Sequence, residues 1–209
     1  MSEAIPRGII VSIQGYHYKT MTELAKDAIN AGCIAIRTDK RLCLSDEEKV
    51  PIIGLKKLQV EDVKTTAYIT PTPEEVQEVE GWADLVAIDY RGCNVNLQRT
   101  SKYCREHGLK VVADVETYDD FASILEHGYY YTYIATTLSV FKLLFRPNLR
   151  LVEKIAQEEK HVIAEGNFSS RKDVRAAFEC GAHAICIGSA ISNVYKLTKK
   201  YTSVPMGVL

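Results

Sequence analysis

The sequence predicts an α/β fold of the (β/α)8 class: a closed TIM barrel with short loops, formed as a single domain over residues 1–209. Three observations lead there. Eight short apolar runs alternate with mostly amphipathic segments, and such alternation requires a parallel sheet. No shift in composition marks a linker between the first run and the last. No Gly-x-Gly-x-x-Gly follows the first run, which counts against an open doubly wound sheet. At 209 residues the loops must be short, near the lower size limit of such a barrel.

In chain order, Gly8 to Gln14 is β-branched and reads as the first strand. Thr20-x-x-Glu23 has the form of a capping box, followed by Met21, Leu24, Ala25, Ala28 and Ile29 at helical spacing and by Gly32 as a stop. Cys33 to Arg37 is the second strand, with a short helix expected around Asp46 to Lys49. Pro51 to Lys57 is the third, and Ala67 to Thr70 reads as a short extended piece. Thr72-Pro73-x-Glu75 opens a helix, with proline at its first position, that Gly81 ends. The fourth strand is Leu85 to Asp89, and a polar helix runs from about Asn96 to His107. Val111 to Val115 is the fifth strand, and Thr117 caps a helix carrying Phe121, Ile124 and Leu125.

Tyr131 to Thr137 is the sixth strand. An irregular apolar loop to Pro147 leads into a helix with Leu151, Val152, Ile155 and Ala156. His161 to Glu165 is the seventh strand, before a helix capped near Ser170 with Val174, Ala177 and Phe178. Ala184 to Ile187 is the eighth, and a final helix is expected over about Ser192 to Lys200. Five of the helices end in glycine.

Composition excludes several classes of function. A net charge of −1 leaves no basic footprint for nucleic acid and no electrostatic case for a membrane surface. Met1 to Arg7 lack the apolar core of a signal peptide, and no apolar run approaches the length of a membrane span. A cytoplasmic enzyme is expected. The six cysteines form no Cys-x-x-Cys pair and read as buried or incidental thiols of a reducing compartment. The five histidines show no ligand spacing, so no metal is expected.

In such a barrel the carboxyl ends of the strands share one face and carry the chemistry. Those ends are Gln14, Arg37, Lys57, Asp89, Asp114, Thr136-Thr137, Glu165 and Gly188-Ser189. Five of the eight end in a charge, and both signs are present. Partly buried charge costs several kcal/mol unless paired or used, so the constellation marks a site. Lys57 and Glu165 are the acid/base candidates. A lysine in a dry mouth near Arg37 has its ionisation lowered towards neutrality and becomes able to take a proton from carbon. A plain Lys57–Glu165 ion pair is the structural alternative. Lys56 rivals Lys57, because alternation sends only one of the two inward. Gly166, Gly188 and Ser189 suit a phosphate, since glycine lets backbone N–H groups approach an anion beside a helix start. Thr136, Thr137 and Ser139 offer hydroxyls.

Taken together these residues resemble the N-acetylmannosamine-6-phosphate 2-epimerases of sialic acid catabolism. The matching segments include Ala35-Ile36-Arg37, Pro51-Ile52-Ile53-Gly54 with lysine three residues on, and Ile69-Thr70-Pro71-Thr72. Ala83 to Asp89, Ala113-Asp114-Val115, Thr136 to Ser139, Val162 to Gly166 and Gly188 to Ile191 continue the match in order. The resemblance implies a barrel that inverts C2 of an N-acetylhexosamine 6-phosphate without a redox cofactor. It implies that Lys57 handles the C2 proton with Glu165 as its partner, which breaks the tie with Lys56. Gln14, Arg37, Asp114 and Thr137 would then contact the sugar, and Gly166, Asn167, Gly188 and Ser189 the phosphate. The implied partner is a small phosphorylated amino sugar, with no nucleic acid and no membrane; a homodimer is left open. The chain departs from the family pattern at Leu58 and Asn167, where arginine is usual, and at Val140 to Lys142. Two other readings stand beside it: a phosphate-binding barrel lyase or synthase resembling thiamine-phosphate synthase, and a non-catalytic phosphosugar-binding protein.

Overall fold

β-Branched and small apolar residues fill the strands, as suits a pleated surface covered on both faces. The computed structural model describes residues 4–59, 67–70, 72–91, 96–137 and 146–192. The strands are β1 Gly8–Ile13, β2 Ala35–Thr38, β3 Ile52–Gly54, β4 Lys57–Gln59, β5 Ala67–Ile69, β6 Leu85–Asp89, β7 Val111–Val115, β8 Tyr133–Thr136, β9 Val162–Glu165 and β10 Ala184–Ile187. Eight of them close into a parallel barrel in the order β1-β10-β9-β8-β7-β6-β3-β2. The remaining two, β4 and β5, pair antiparallel with Lys57 opposite Ile69. The helices are α1 Tyr18–Asn30, α2 Pro73–Glu80, α3 Leu97–Glu106, α4 Tyr118–His127, α5 Leu149–Ala156, α6 Arg171–Glu179 and a four-residue α7, Ser189–Ser192. The fold is a (β/α)8 barrel. No helix among the described residues is long and apolar enough to cross a membrane.

The pleat divides the strand residues between two cores. Ile10, Ala35, Ile53, Leu85, Ala87, Val112, Tyr133, Ala135, Ile163 and Ala184 pack together inside the barrel. The residues between them, among them Val86, Ile88, Val111, Ala113, Ile134 and Ala164, pack under the helices. Ile5, fully buried, closes the amino-terminal end. Its N–H donates to the Tyr133 hydroxyl at 2.9 Å, and His183 Nε2 lies 2.8 Å from its carbonyl. With that end plugged by apolar contacts, the polar residues of the interior gather at the carboxyl ends.

Several expected boundaries move. The third barrel strand does not reach Lys57: it stops at Gly54, and Lys57 begins the separate β4–β5 hairpin. The physical reason lies in the partners: β5 takes up the β4 backbone where the barrel neighbours no longer can. The expected short piece at Ala67 to Thr70 is that partner. The box at Thr20 does not cap a helix; α1 starts a turn earlier behind His17, whose carbonyl accepts the Met21 N–H at 3.0 Å. The helix starts expected at Thr72 and Thr117 form, and in both the residue three on completes a capping box. Gly32, Gly108, Gly128 and Gly181 turn left-handed after their helices, whereas Gly81 remains in the right-handed region. Cys93, Ser139, Val140 to Lys142 and the final helix beyond Ser192 lie outside the described residues.

Gly54 is where the barrel meets α2 most closely. A Cβ there would stand 2.5 Å from Val79 Cγ1 and 2.6 Å from the Ala83 Cβ. Those neighbours sit on a packed helix end and cannot swing away as the tip of a long side chain does. Gly54→Ala is expected to lower stability by about 1–3 kcal/mol through overpacking. Urea unfolding should show this as a lower midpoint with an unchanged slope; a midpoint equal to that of the parent would refute the packing argument.

Candidate active site

Period-two alternation delivers the site. Continuing the interior positions of each barrel strand to its carboxyl end brings Ser12, Arg37, Asp89, Asp114, Thr137, Glu165, Cys186 and Gly188 to one mouth. The register agrees, pairing Ser12 with Arg37, Asp89 with Asp114 and Cys186 with Glu165.

Arg37 is the node of this mouth and is only 2% exposed. Its Nη1 donates to Asp114 Oδ1 at 3.0 Å and to Glu165 Oε2 at 2.9 Å, and its Nη2 donates to Asp114 Oδ2 at 2.5 Å. The planar guanidinium fork matches two carboxylates in a way an ammonium does not. Burial opposes the Arg37 charge, but Asp114 and Glu165 outweigh it and hold the group protonated more firmly than usual. Its Nε is buried without a partner among the described residues.

Glu165 is therefore ion-paired to Arg37 rather than to Lys57. Its backbone N–H donates to Thr136 Oγ1 at 3.2 Å, so the strand-end threonine of β8 fixes the strand end of β9. Burial raises the Glu165 ionisation above the usual carboxylate value; Arg37 works against that shift and Asp114 adds to it. Cys186, beside it on β10, is buried, and its thiol is pushed well up by burial and then by the Glu165 charge. The cysteines at 33, 43, 104, 180 and 186 are free thiols.

The two lysines part. Lys56 takes the outward side and ion-pairs with Glu78 of α2. Lys57 has the inward parity of Ile53 and Leu55. Its side chain reaches solvent at the mouth, yet the surrounding protein still lowers its ionisation by desolvation. Asp39 and Glu165 oppose that shift, and Arg37 reinforces it.

The other predicted positions surround this centre. Gln14 Nε2 donates to Ser12 Oγ at 2.8 Å. Thr137 donates its backbone N–H to the Val115 carbonyl at 2.7 Å. Gly166 and Asn167 both have positive φ, 103° and 57°, so the chain turns sharply outward after Glu165. Asparagine is among the few side chains that tolerate that region. α7 begins at Ser189 itself, and Gly188 lies against Ser12, whose Cβ would be 3.5 Å from an added methyl.

Three mouth residues escaped the reading of strand ends. Asp39 accepts the Gly15 N–H at 3.3 Å and 3.4 Å, and Lys40 Nζ reaches the Tyr16 carbonyl at 2.9 Å, so the loops after β1 and β2 are tied. Arg91 ion-pairs with Asp89, which is fully buried. Burial raises the Asp89 ionisation even though Arg91 opposes it. The third is Thr70. Asp39 and Arg91 continue the inward parity of β2 and β6 past the strand ends, and that signal was present in the sequence.

Known proteins resemble this chain along nearly its whole length. A family model described as "Putative N-acetylmannosamine-6-phosphate epimerase" matches residues 21–205. A protein of Clostridioides difficile named "Putative N-acetylmannosamine-6-phosphate 2-epimerase" is 34% identical, with 87% of this chain and 85% of that protein covered. One of the same name from Caldanaerobacter subterraneus is 31% identical, with 96% and 92% covered. The solved N-acetylmannosamine-6-phosphate 2-epimerase of Clostridium perfringens superposes with a TM-score of 0.80 at 25% identity, covering 93% of this chain and 91% of that one. A thiamine phosphate pyrophosphorylase of Pyrococcus furiosus, at 14% identity and a TM-score of 0.59, shares the fold. With the model spanning 21–205 and relatives above 30% identity over most of their length, the chain belongs to the N-acetylmannosamine-6-phosphate epimerase family.

Proposed function

We propose that the chain interconverts N-acetylmannosamine 6-phosphate and N-acetylglucosamine 6-phosphate by moving the proton at C2. The observation that carries this reading is a lysine and a carboxylic acid at one barrel mouth whose ionisations are displaced towards each other: Lys57 down and Glu165 up. Displacement of that kind brings the neutral-amine, protonated-acid state of the pair nearer than two ordinary side chains would have it.

In the open-chain sugar the C1 carbonyl acidifies the C2 proton. Neutral Lys57 takes that proton, and the C2–H electron pair forms a C1=C2 double bond as the carbonyl oxygen becomes an enolate. Glu165, protonated, delivers a proton to the opposite face of C2 and re-forms the carbonyl with the other configuration. The pair is left with Lys57 charged and Glu165 ionised, which is the state from which the reverse direction begins. Gln14, Arg37, Asp114 and Thr137 shape the sugar subsite, with Arg37 fixing Glu165 and Asp114 from below. The outward turn at Gly166-Asn167 and the Gly188-Ser189 backbone hold the 6-phosphate. The reaction uses no redox cofactor and no metal. The near-neutral charge fits a small-molecule enzyme rather than a nucleic-acid binder, and we place it in the cytoplasm on the reading that its cysteines are reduced thiols.

Incubation with N-acetylmannosamine 6-phosphate in deuterated water tests the reading. Deuterium should enter C2 as the second epimer accumulates, followed by NMR. Binding without exchange would leave a phosphosugar-binding protein. Absence of both would move the chain towards a lyase or synthase.

A further inference from the structure

Thr70 carries a combination that a turn alone does not require. It is fully buried, and it holds φ at +47° although it is β-branched. Side chains branched at Cβ very rarely enter that region, and such outliers concentrate where geometry serves function. Glycine or asparagine would satisfy a simple turn with less strain.

The strained backbone makes a reciprocal clamp. Thr70 N–H donates to the Lys56 carbonyl at 2.7 Å, and the Lys56 N–H donates to Thr70 Oγ1 at 3.0 Å. Lys56 stands where the chain has left the barrel sheet: the Leu55 N–H before it still reaches Thr38 of β2, at 3.0 Å, while Lys57 after it pairs across the hairpin with Ile69. The clamp thus closes the end of the hairpin nearest the barrel, one residue before Lys57. The groups facing Lys57 from neighbouring elements are Asp39 and Arg37 on the β2 side and Glu165 on β9.

We propose that Thr70 is a positioning residue whose two hydrogen bonds to the Lys56 backbone aim Lys57 into the barrel mouth. The proposal rests on the reading of Lys57 as the C2 base. Valine at this position keeps the branched shape and removes the hydroxyl; serine keeps the hydroxyl.

The test measures kcat and KM for N-acetylmannosamine 6-phosphate across pH in full-length Thr70→Val, Thr70→Ser and Lys57→Ala. Thr70→Val should lose about 10- to 100-fold in kcat, as misplacement of a reacting group by about 1 Å does, with KM within about twofold. With Lys57 less enclosed by the surrounding mouth, the desolvation that lowers its ionisation weakens, so the limb of the profile that it governs moves to higher pH. Thr70→Ser should keep kcat within about threefold of the parent, in line with a retained geometry. If Thr70→Val fails to fold, Thr70→Gly, which accepts the left-handed backbone, should show the same loss and the same movement. Unchanged kcat in Thr70→Val, a loss with no movement of the limb, or a serine variant as impaired as valine overturns the proposal. Turnover by Lys57→Ala would overturn the base assignment, and this proposal with it. An inactive Lys57→Ala beside a fully active Thr70→Val overturns the Thr70 proposal alone.

Discussion

Lys57→Ala is expected to lower C2 exchange by about 10²–10⁴, the usual contribution of a positioned general base, while Lys56→Ala stays close to the parent. The two lysines are neighbours in sequence and alike in chemistry, so the contrast isolates placement. Lys56 stands outside the barrel against Glu78. Lys57 continues the inward parity of Ile53 and Leu55 and sits within electrostatic reach of Arg37, Asp39 and Glu165. Desolvation leads the lowering of its ionisation from the ordinary 10.5, and that lowering favours the neutral amine a base requires. Lys57→Arg should not rescue, because a guanidinium does not give up its proton in a protein. NMR in deuterated water reads all three variants. An inactive Lys56→Ala beside an active Lys57→Ala would overturn the assignment.

The barrel was legible because its strands are buried on both faces and so appear as unbroken apolar runs such as Leu85 to Ile88 and Val111 to Ala113. The start of α1 was not, because Thr20-x-x-Glu23 satisfies a local rule while the actual start depends on where β1 releases the chain at Gln14. The end of β3 was hidden for a related reason. Ile52 to Lys57 reads as one run, but Gly54 packs against α2 and Lys57 pairs with Ile69 of β5, a partner that no local pattern in the run announces. Site residues at strand ends were visible as single charges. What they do to each other was not: Arg37 and Asp114 were read as sugar contacts, and the side-chain geometry adds that they are bonded together beneath the mouth. Thr70 was visible only as the end of a short extended piece, and its strain and its bonds to Lys56 only in the folded chain. Cys186 lay on the inward parity of β10, with its place beside Glu165 given by the register.

Arg37→Met is expected to cost about 3–5 kcal/mol of stability, the loss usual when one partner of a buried ion pair is removed. Methionine retains much of the length and apolar stem, so the loss reads mainly the charge. Without the guanidinium, Asp114 and Glu165 face each other in a buried mouth with no shared cation, and the folded state binds protons more readily than the unfolded chain. Groups whose folded ionisation is raised contribute stability below their unfolded value and lose it as pH rises through the folded value. The variant should therefore lie nearest the parent in acid and fall away from it as pH rises towards neutral. Glu165→Gln offers the complement. Its carboxylate is already held above the ordinary 4.5, led by burial, so its charge at neutral pH opposes folding. Adding Glu165→Gln should stabilise Arg37→Met by more than it stabilises the parent, a non-zero coupling in a double-mutant cycle. Urea midpoints at acid and neutral pH measure each corner of that cycle. A loss independent of pH, or no recovery in the double variant, would mean that the loss does not come from leaving Asp114 and Glu165 without their shared cation. The pH-dependent result would mean that one cation holds buried Asp114 and half-buried Glu165 in place. Desolvation, against the pull of Arg37, leaves Glu165 readier to keep the proton that the proposed epimerisation uses.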